Sequence, residues 1–217
     1  MRIILVRHGE TNWNNEDRFR GHIDVGLNPG GLAQARMVGE ALRDIELDGI
    51  YSSPLSRALV TAEEIAHPRS LQVSILEAFK DFHFGAWQGL TRDEVRYRYP
   101  DVYAQWESAP HMVRIPEGET LDEVEDRVYK GLSGLVREGG DGTIVIVSHG
   151  LVNKVLLCRL LGMGTKGFWR VKQDNGAVNL FEFNGRGVKV FVMNSTFHIR
   201  SLAGVVEDMR SPLNPLG

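Results

Sequence analysis

Two short runs of apolar, mostly β-branched residues each end in a histidine that is followed by glycine. Ile3–Val6 leads into Arg7-His8-Gly9, and Thr143–Val147 leads into Ser148-His149-Gly150. Such runs are typical of strands that are covered on both faces, as in a parallel sheet. Ligands of open parallel sheets bind at the carboxyl ends of the strands. If the two strands are neighbours, both histidines therefore face one crevice.

Helix-start signals lie between and after these strands. Asn28-Pro29 and Ser53-Pro54 each combine an N-cap residue with proline ahead of an apolar stripe. Thr120 and Glu123 form a capping-box pattern, and another helix is expected near Gly150. Strands therefore alternate with helices along most of the chain.

A hairpin pattern follows near the end of the sequence. Val178–Phe183 and Val188–Met193 flank the turn-forming residues Asn184-Gly185-Arg186-Gly187. Together with the preceding alternation, this predicts an α/β fold whose mainly parallel sheet contains one antiparallel strand.

Composition excludes several classes of protein. The 217 residues carry a formal net charge of −3 without a basic stripe, which argues against nucleic-acid binding. The run Ile3–Val6 is too short for a signal peptide or a membrane span. The only cysteine, Cys158, lies in an apolar stretch and is expected to be a buried thiol, which fits a reducing cytoplasm. We expect neither a metal site nor a membrane partner.

Several polar residues suit a ligand with two negative charges. Arg7 and Arg57 each offer a planar fork of donors to phosphate oxygens. Arg57 falls in the first turn after Ser53-Pro54, where backbone N–H groups also favour an anion. His149, if protonated, and Asn14 add further donors, so the two strand ends predict a phosphate site.

An ordered set of motifs spans almost the whole chain. They are Arg7-His8-Gly9-Glu10-Thr11-Asn12-Trp13-Asn14, Arg20-Gly21 with Asp24 and Leu27, Gly31 with Gln34-Ala35, Ser52-Ser53-Pro54-Leu55-Ser56-Arg57-Ala58, Phe84-Gly85-Ala86-Trp87-Gln88-Gly89, Pro116-Glu117-Gly118-Glu119-Thr120, Ser148-His149-Gly150 and Asp174-Asn175-Gly176. In these motifs the sequence resembles the phosphoglycerate-mutase-like branch of the histidine phosphatase superfamily.

The resemblance implies a three-layer α/β/α sandwich. It also implies a phosphatase that acts on small phosphorylated metabolites through a phosphohistidine, without metal or cofactor. His8 would attack phosphorus, while Arg7, Arg57, His149 and Asn14 stabilise the charge on the transferred group. Gly21 would contribute through its loop backbone.

The proton donor departs from the family pattern. The family has a glutamate four positions before the glycine of its Phe-Gly-x-Trp motif, and this chain has Asp81 there. Aspartate has the required chemistry but a shorter reach, so Glu77 is the alternative. We expect Asp81 to protonate the leaving oxygen and then to take a proton from the attacking water.

The organisation of the chain and two rival functions complete the sequence interpretation. We predict one domain over 1–217, with the aromatic-rich segment 80–119 as a small helical cap, although core helices at the sheet edge would give the same pattern.

The segment from Tyr99 to Trp106 resembles bacterial broad-specificity or α-ribazole-type phosphatases. The rivals are a cofactor-dependent phosphoglycerate mutase and a non-catalytic phospho-ligand binding domain. A homodimer is left open without being indicated.

Overall fold

A computed structural model describes residues 1–185 and 187–199 of the chain. The strands of this part are β1 (Arg2–Arg7), β2 (Gly49–Ser52), β3 (Val73–Ile75), β4 (Thr143–Ser148), β5 (Val178–Asn184) and β6 (Gly187–Ser195). Its α-helices are α1 (Asn12–Asn15), α2 (Pro29–Ala41), α3 (Ser56–Ala66), α4 (Arg92–Arg98), α5 (Pro100–Ser108), α6 (Leu121–Glu138) and α7 (Gly150–Leu160). Short 3₁₀ helices cover His67–Arg69, Glu77–Phe79, Gly85–Trp87, Pro110–Met112 and Thr165–Arg170. Arg186, in the predicted hairpin turn, and residues 200–217 of the predicted domain lie outside the described residues.

All six strands form one sheet in the order β3-β2-β4-β1-β5-β6. β1 and β4 are parallel neighbours, with Val6 opposite Val147 and Arg7 opposite Ser148. β5 is antiparallel to both β1 and β6, whereas β3, β2, β4 and β1 run parallel. The predicted sheet with one antiparallel strand is therefore confirmed.

Alternate residues of the central strands pack on opposite faces of the sheet. In β1, Ile3 and Leu5 belong to an apolar cluster that includes residues of α6 and α7. Ile4 and Val6 belong to a second cluster with residues of α2 and α3. Burying one such aliphatic side chain contributes about 1.5–3 kcal/mol. Because both faces are covered by helices, the predicted three-layer sandwich is confirmed.

Three of the four predicted helix starts are confirmed and one is wrong, since α7 also begins at the predicted Gly150. α2 follows Asn28, whose side chain accepts a hydrogen bond from the N–H of Gly31, and α6 follows Thr120 with a complete capping box. The helix predicted to start at Ser53-Pro54 begins only at Ser56. Ser53 instead lies in the preceding turn, where its hydroxyl accepts from the N–H of Leu55 and contacts His149.

The segment 80–119 contributes a continuous aromatic group to the core. Phe82, Trp87, Tyr103 and Trp106 are buried in the same cluster as Ile3 and Leu5. The ring of Trp87 lies 6.1 Å from those of both Tyr103 and Trp106, measured between centroids. This packing fixes the inner end of the segment, at Asp81, against the carboxyl edge of the sheet.

Candidate active site

His8 and His149, which the sequence predicts to face one crevice, lie side by side in the structure. His8 and His149 follow the paired ends of β1 and β4, and the backbone N–H of His8 donates to the carbonyl of Ser148. Their ring centroids are 5.1 Å apart, and both side chains are buried. The parallel register of two strands thus creates a two-histidine site from residues 141 positions apart.

His8 is held in one tautomer. Its Nδ1 lies 2.6 Å from the carbonyl oxygen of Gly9, which can only accept, so the ring proton is on Nδ1. No described residue forms a hydrogen bond with Nε2. Burial lowers the pKa of His8 well below 6.5, and His149 and Arg57 add to this effect. The result is a neutral imidazole with a free lone pair on Nε2.

Two glycines allow the surrounding loops to approach the site. A Cβ on Gly9 would lie 2.2 Å from the carbonyl oxygen of Gly31, so only glycine fits against the start of α2. Gly21 has a φ of +54°, a left-handed conformation, and its carbonyl accepts from Arg57. The structure therefore places Gly21 at the site through its backbone.

His149 lies between a hydroxyl and a carboxylate. Its Nε2 is 2.7 Å from Oγ of Ser53, and its Nδ1 is 3.4 Å from Oδ2 of Asp81. Burial lowers its pKa well below 6.5, and the charge of Arg57 lowers it further. The free protein therefore holds His149 neutral, and it can act as a cationic donor only when a bound anion favours its protonation.

Arg57 and Asp81 form a buried ion pair beside the histidines. Nη2 of Arg57 is 2.9 Å from Oδ2 of Asp81 and also donates to the carbonyl of Gly21. Asp81 is 5% exposed, whereas Glu77 is exposed on the 3₁₀ helix Glu77–Phe79. Of the two candidate proton donors, Asp81 is the one that the structure brings to His149 and Arg57.

Arg7 and Asn14 complete the set of predicted site residues. Nη1 of Arg7 donates to the carbonyl of Gln173, and burial lowers the pKa of Arg7 to about 10 while Asp174 opposes the shift. Arg7 therefore remains charged at neutral pH. Oδ1 of Asn14 accepts from both the N–H and the hydroxyl of Thr11, which ties Asn14 to the loop that follows His8.

Sequence reasoning missed several residues that support or line the site. Arg127 of α6 donates to the carbonyls of Ala78, Lys80 and Asp81, and so holds the loop that carries Asp81. No motif marks Arg127, because the three carbonyls that it holds are distant in sequence. Its guanidinium also pairs with the carboxylate of Glu119. Lys154, a lysine among the buried residues of α7, could have been recognised from that pattern.

A cleft opens from this edge of the sheet. It encloses about 470 Å³, including its solvent-open part, and its walls include Arg7, Arg20, Asp81, Lys154 and Phe168. The cleft is thus dominated by cationic side chains, with Asp81 as the carboxylate among them. It suits a small anionic ligand.

The described residues give no indication of a metal or of a membrane span. Over 1–185 and 187–199, no group of three histidine, cysteine, aspartate or glutamate residues is arranged to hold a metal ion. No helix in the same part of the chain has the length and apolar character required to cross a membrane.

The buried neutral histidines predict a loss of stability in acid. The pKa of His8 and His149 lies well below 6.5 in the folded protein because of burial, and near 6.5 in the unfolded chain. As the pH falls below 6.5, the unfolded chain binds protons that the folded protein does not. The free energy of unfolding should then fall by up to about 1.4 kcal/mol per pH unit for each histidine.

Urea unfolding at pH 7 and pH 5 measures this effect. The His8→Gln variant should lose less stability than the wild type over this range, whereas His67→Gln, which changes an exposed histidine, should match the wild type. Equal losses in His8→Gln and the wild type would contradict the neutral burial of His8.

The carboxyl edge of the mainly parallel sheet brings together two arginines, two buried histidines and a carboxylate. This arrangement is that of an enzyme site for phosphate esters. The sequence matches the histidine phosphatase superfamily (branch 1) over residues 3–196. Phosphoserine phosphatase 1 of Hydrogenobacter thermophilus is 34% identical over 92% of this chain and 94% of its own length.

Solved structures agree with this assignment. Bacillus stearothermophilus YhfR has a TM-score of 0.88 and 32% identity, covering 92% of this chain and 99% of that one. The α-ribazole phosphatase of Shigella flexneri has a TM-score of 0.83 and 30% identity, covering 90% and 96%. The chain belongs to the histidine phosphatase superfamily and is a phosphoric monoester hydrolase, which confirms the resemblance found in its motifs.

Proposed function

We propose that the protein hydrolyses small phosphorylated metabolites by transferring their phosphoryl group to Nε2 of His8. The observation that carries this assignment is the orientation of His8. The Gly9 carbonyl fixes the proton on Nδ1, and Nε2 has no hydrogen-bond partner among the described residues. A neutral imidazole nitrogen held in this way is a nucleophile that needs no separate base.

In the first step, Nε2 of His8 forms a bond to phosphorus as the bond to the ester oxygen breaks. Arg7, Arg57, His149 and Asn14 hold the phosphoryl oxygens and stabilise their charge. A dianion that binds Arg57 competes with Asp81, which lies 2.9 Å from that guanidinium. We assign to Asp81 the proton that the leaving oxygen takes, because its carboxyl group is the one that lies beside His149 and Arg57.

In the second step, water attacks the phosphorus of phospho-His8. Asp81, now a carboxylate, takes a proton from the water, the phosphorus–nitrogen bond breaks, and inorganic phosphate leaves. His8 returns to its neutral form. No step requires a metal or an organic cofactor.

Residues 80–119 act as a cap within the predicted single domain. Asp81 and Phe84, from the inner end of the segment, line the cleft, while Tyr103 and Trp106 anchor the segment in the core. The segment thus carries both the proton donor and the part of the cleft wall that contacts the organic part of the substrate. A cytoplasmic location is also proposed, since Cys158 is the single cysteine of the sequence and cannot form a disulfide within the chain.

Phosphate release from phosphomonoesters tests the proposed function. The purified protein should release phosphate from p-nitrophenyl phosphate and from 3-phosphoglycerate with repeated turnover. A mutase would instead exchange 3-phosphoglycerate with 2-phosphoglycerate, faster when a bisphosphate primer is present. A non-catalytic domain would bind phosphate but show no burst of nitrophenol. Either of the last two results would contradict the proposal.

A further inference from the structure

Lys154 places an ammonium group at the active-site cleft from a helix on which its neighbouring residues are buried. It lies on α7, four residues after Gly150, and is only 5% exposed. Its Nζ lies 5.3 Å from the ring centroids of both Phe168 and Trp169. Lys154 and Phe168 both line the cleft that also contains Asp81. The phosphoryl-transfer steps above make no use of Lys154.

The ammonium group of Lys154 is destabilised in the ligand-free protein. Burial and, to a smaller extent, the charge of Arg7 lower its pKa to about 7, although Asp174 partly offsets these effects. Asp174 forms its ion pair with Lys172, at 3.1 Å, and Lys154 takes part in none of the ion pairs of the described residues. The aromatic rings attract the cation without neutralising it. A bound anion would supply the missing charge.

Lys154 lies beside the phosphate site rather than inside it. The guanidinium of Arg7 passes Gly150 so closely that a Cβ there would lie 3.0 Å from Cζ of Arg7. Lys154 follows one helical turn further along α7, since residues four apart lie on the same face of a helix. A phosphoryl group between His8 and Arg7 would therefore have the organic part of its ester next to Lys154.

We propose that Lys154 binds a carboxylate on the organic part of the substrate, and that the preferred substrates are small phosphorylated hydroxy acids. A carboxylate carries the single negative charge that one ammonium balances, whereas a second phosphate would call for several donors. Phe84 and Phe168 supply apolar walls of the cleft beside this contact. The inference rests on the proposed phosphatase function and adds the class of substrate.

Two substrates that differ only in this group provide the test. 3-Phosphoglycerate has a carboxylate where glycerol 3-phosphate has a hydroxymethyl group. The wild type should prefer 3-phosphoglycerate by at least about tenfold in kcat/KM, since a hydrogen bond to a charged group is worth about 1.5–3 kcal/mol. Lys154→Met should lose about 10- to 100-fold on 3-phosphoglycerate, mainly through KM, and much less on glycerol 3-phosphate.

Matched variants separate a binding role from a structural one. Lys154→Arg keeps the charge and should retain most of the preference. Lys166→Met removes an exposed lysine from the neighbouring 3₁₀ helix and should leave both rates unchanged. If Lys154→Met fails to fold, Lys154→Gln replaces it in the same comparison. Turnover of p-nitrophenyl phosphate by each variant verifies an intact site.

The outcomes distinguish the substrate class from the reaction itself. A similar loss on both substrates in Lys154→Met, or an undiminished preference, would overturn the role of Lys154. So would a wild-type preference for fructose 1,6-bisphosphate that Lys154→Met removes, since it would indicate a second phosphate site. Turnover of p-nitrophenyl phosphate without any carboxylate preference rejects only this inference. Absence of turnover on every substrate rejects the proposed function.

Discussion

Replacing His8 with alanine is expected to abolish both phosphate release and formation of a phosphorylated enzyme. The variant loses Nε2 of His8, which has a lone pair without a hydrogen-bond partner among the described residues and lies in the field of Arg57 and Arg7. We expect kcat/KM to fall by at least about 10⁴-fold, as for other enzymes that lose their nucleophile. Rapid quenching with a radiolabelled phosphomonoester measures the intermediate, whose label should be acid-labile and base-stable in the wild type.

The two histidines differ in a way that makes this experiment selective. Nε2 of His149 contacts Oγ of Ser53 at 2.7 Å, whereas its Nδ1, which forms no hydrogen bond with the described residues, lies 3.4 Å from the carboxylate of Asp81. His149→Ala should therefore slow the labelling but leave the label in place. His67→Ala, which removes an exposed histidine at the end of α3, should behave like the wild type. Label that persists undiminished in His8→Ala would reject His8 as the nucleophile.

The sequence was sufficient to predict the pairing of His8 with His149 because it depends on local signals. A β-branched run predicts a buried strand, parallel strands end at the same edge of a sheet, and both runs continue directly into histidine. Arg57 was predicted at the site because it lies in the first turn of α3. These inferences require only the order of elements and the hand of a parallel sheet.

The environment of these residues could not be predicted in the same way. The sequence pattern predicts that Ser53 is a helix cap. In the structure its hydroxyl contacts His149, and α3 begins at Ser56. Arg127 acts on carbonyls some 46 to 49 residues away, a pairing for which no local pattern exists. In the sequence, Lys154 is a polar residue on a mostly apolar helix. Only the folded structure shows that the rings of Phe168 and Trp169 lie beside it. In each case a contact between distant segments decides the role.

The choice between Asp81 and Glu77 illustrates how geometry adds to motif counting. The motif position favours Asp81, while the shorter side chain of aspartate leaves Glu77 as the alternative. Arg127 donates to the backbone carbonyl of Asp81, and the aspartate carboxylate reaches Arg57 at 2.9 Å, whereas Glu77 remains exposed. We therefore propose Asp81 as the proton donor.

Asp81→Asn is expected to slow the hydrolysis of alkyl phosphates far more than that of p-nitrophenyl phosphate. An alkoxide leaves poorly without a proton, whereas nitrophenolate is stable enough to leave without one. We expect a loss of about 10²- to 10⁴-fold in kcat for glycerol 3-phosphate, the usual contribution of a general acid, and a much smaller loss in burst rate for the aryl ester. Stopped-flow and quenched-flow measurements of phosphoenzyme formation give both rates.

The ion pair between Asp81 and Arg57 provides a second readout for the same variant. Asparagine removes the negative charge that lies 2.9 Å from Arg57, so inorganic phosphate should bind Asp81→Asn more tightly than the wild type. Glu77→Gln is the matched control and should change neither the leaving-group dependence nor the phosphate affinity. Equal, undiminished turnover of both esters by Asp81→Asn would remove Asp81 from the role. A leaving-group effect in Glu77→Gln would transfer that role to Glu77.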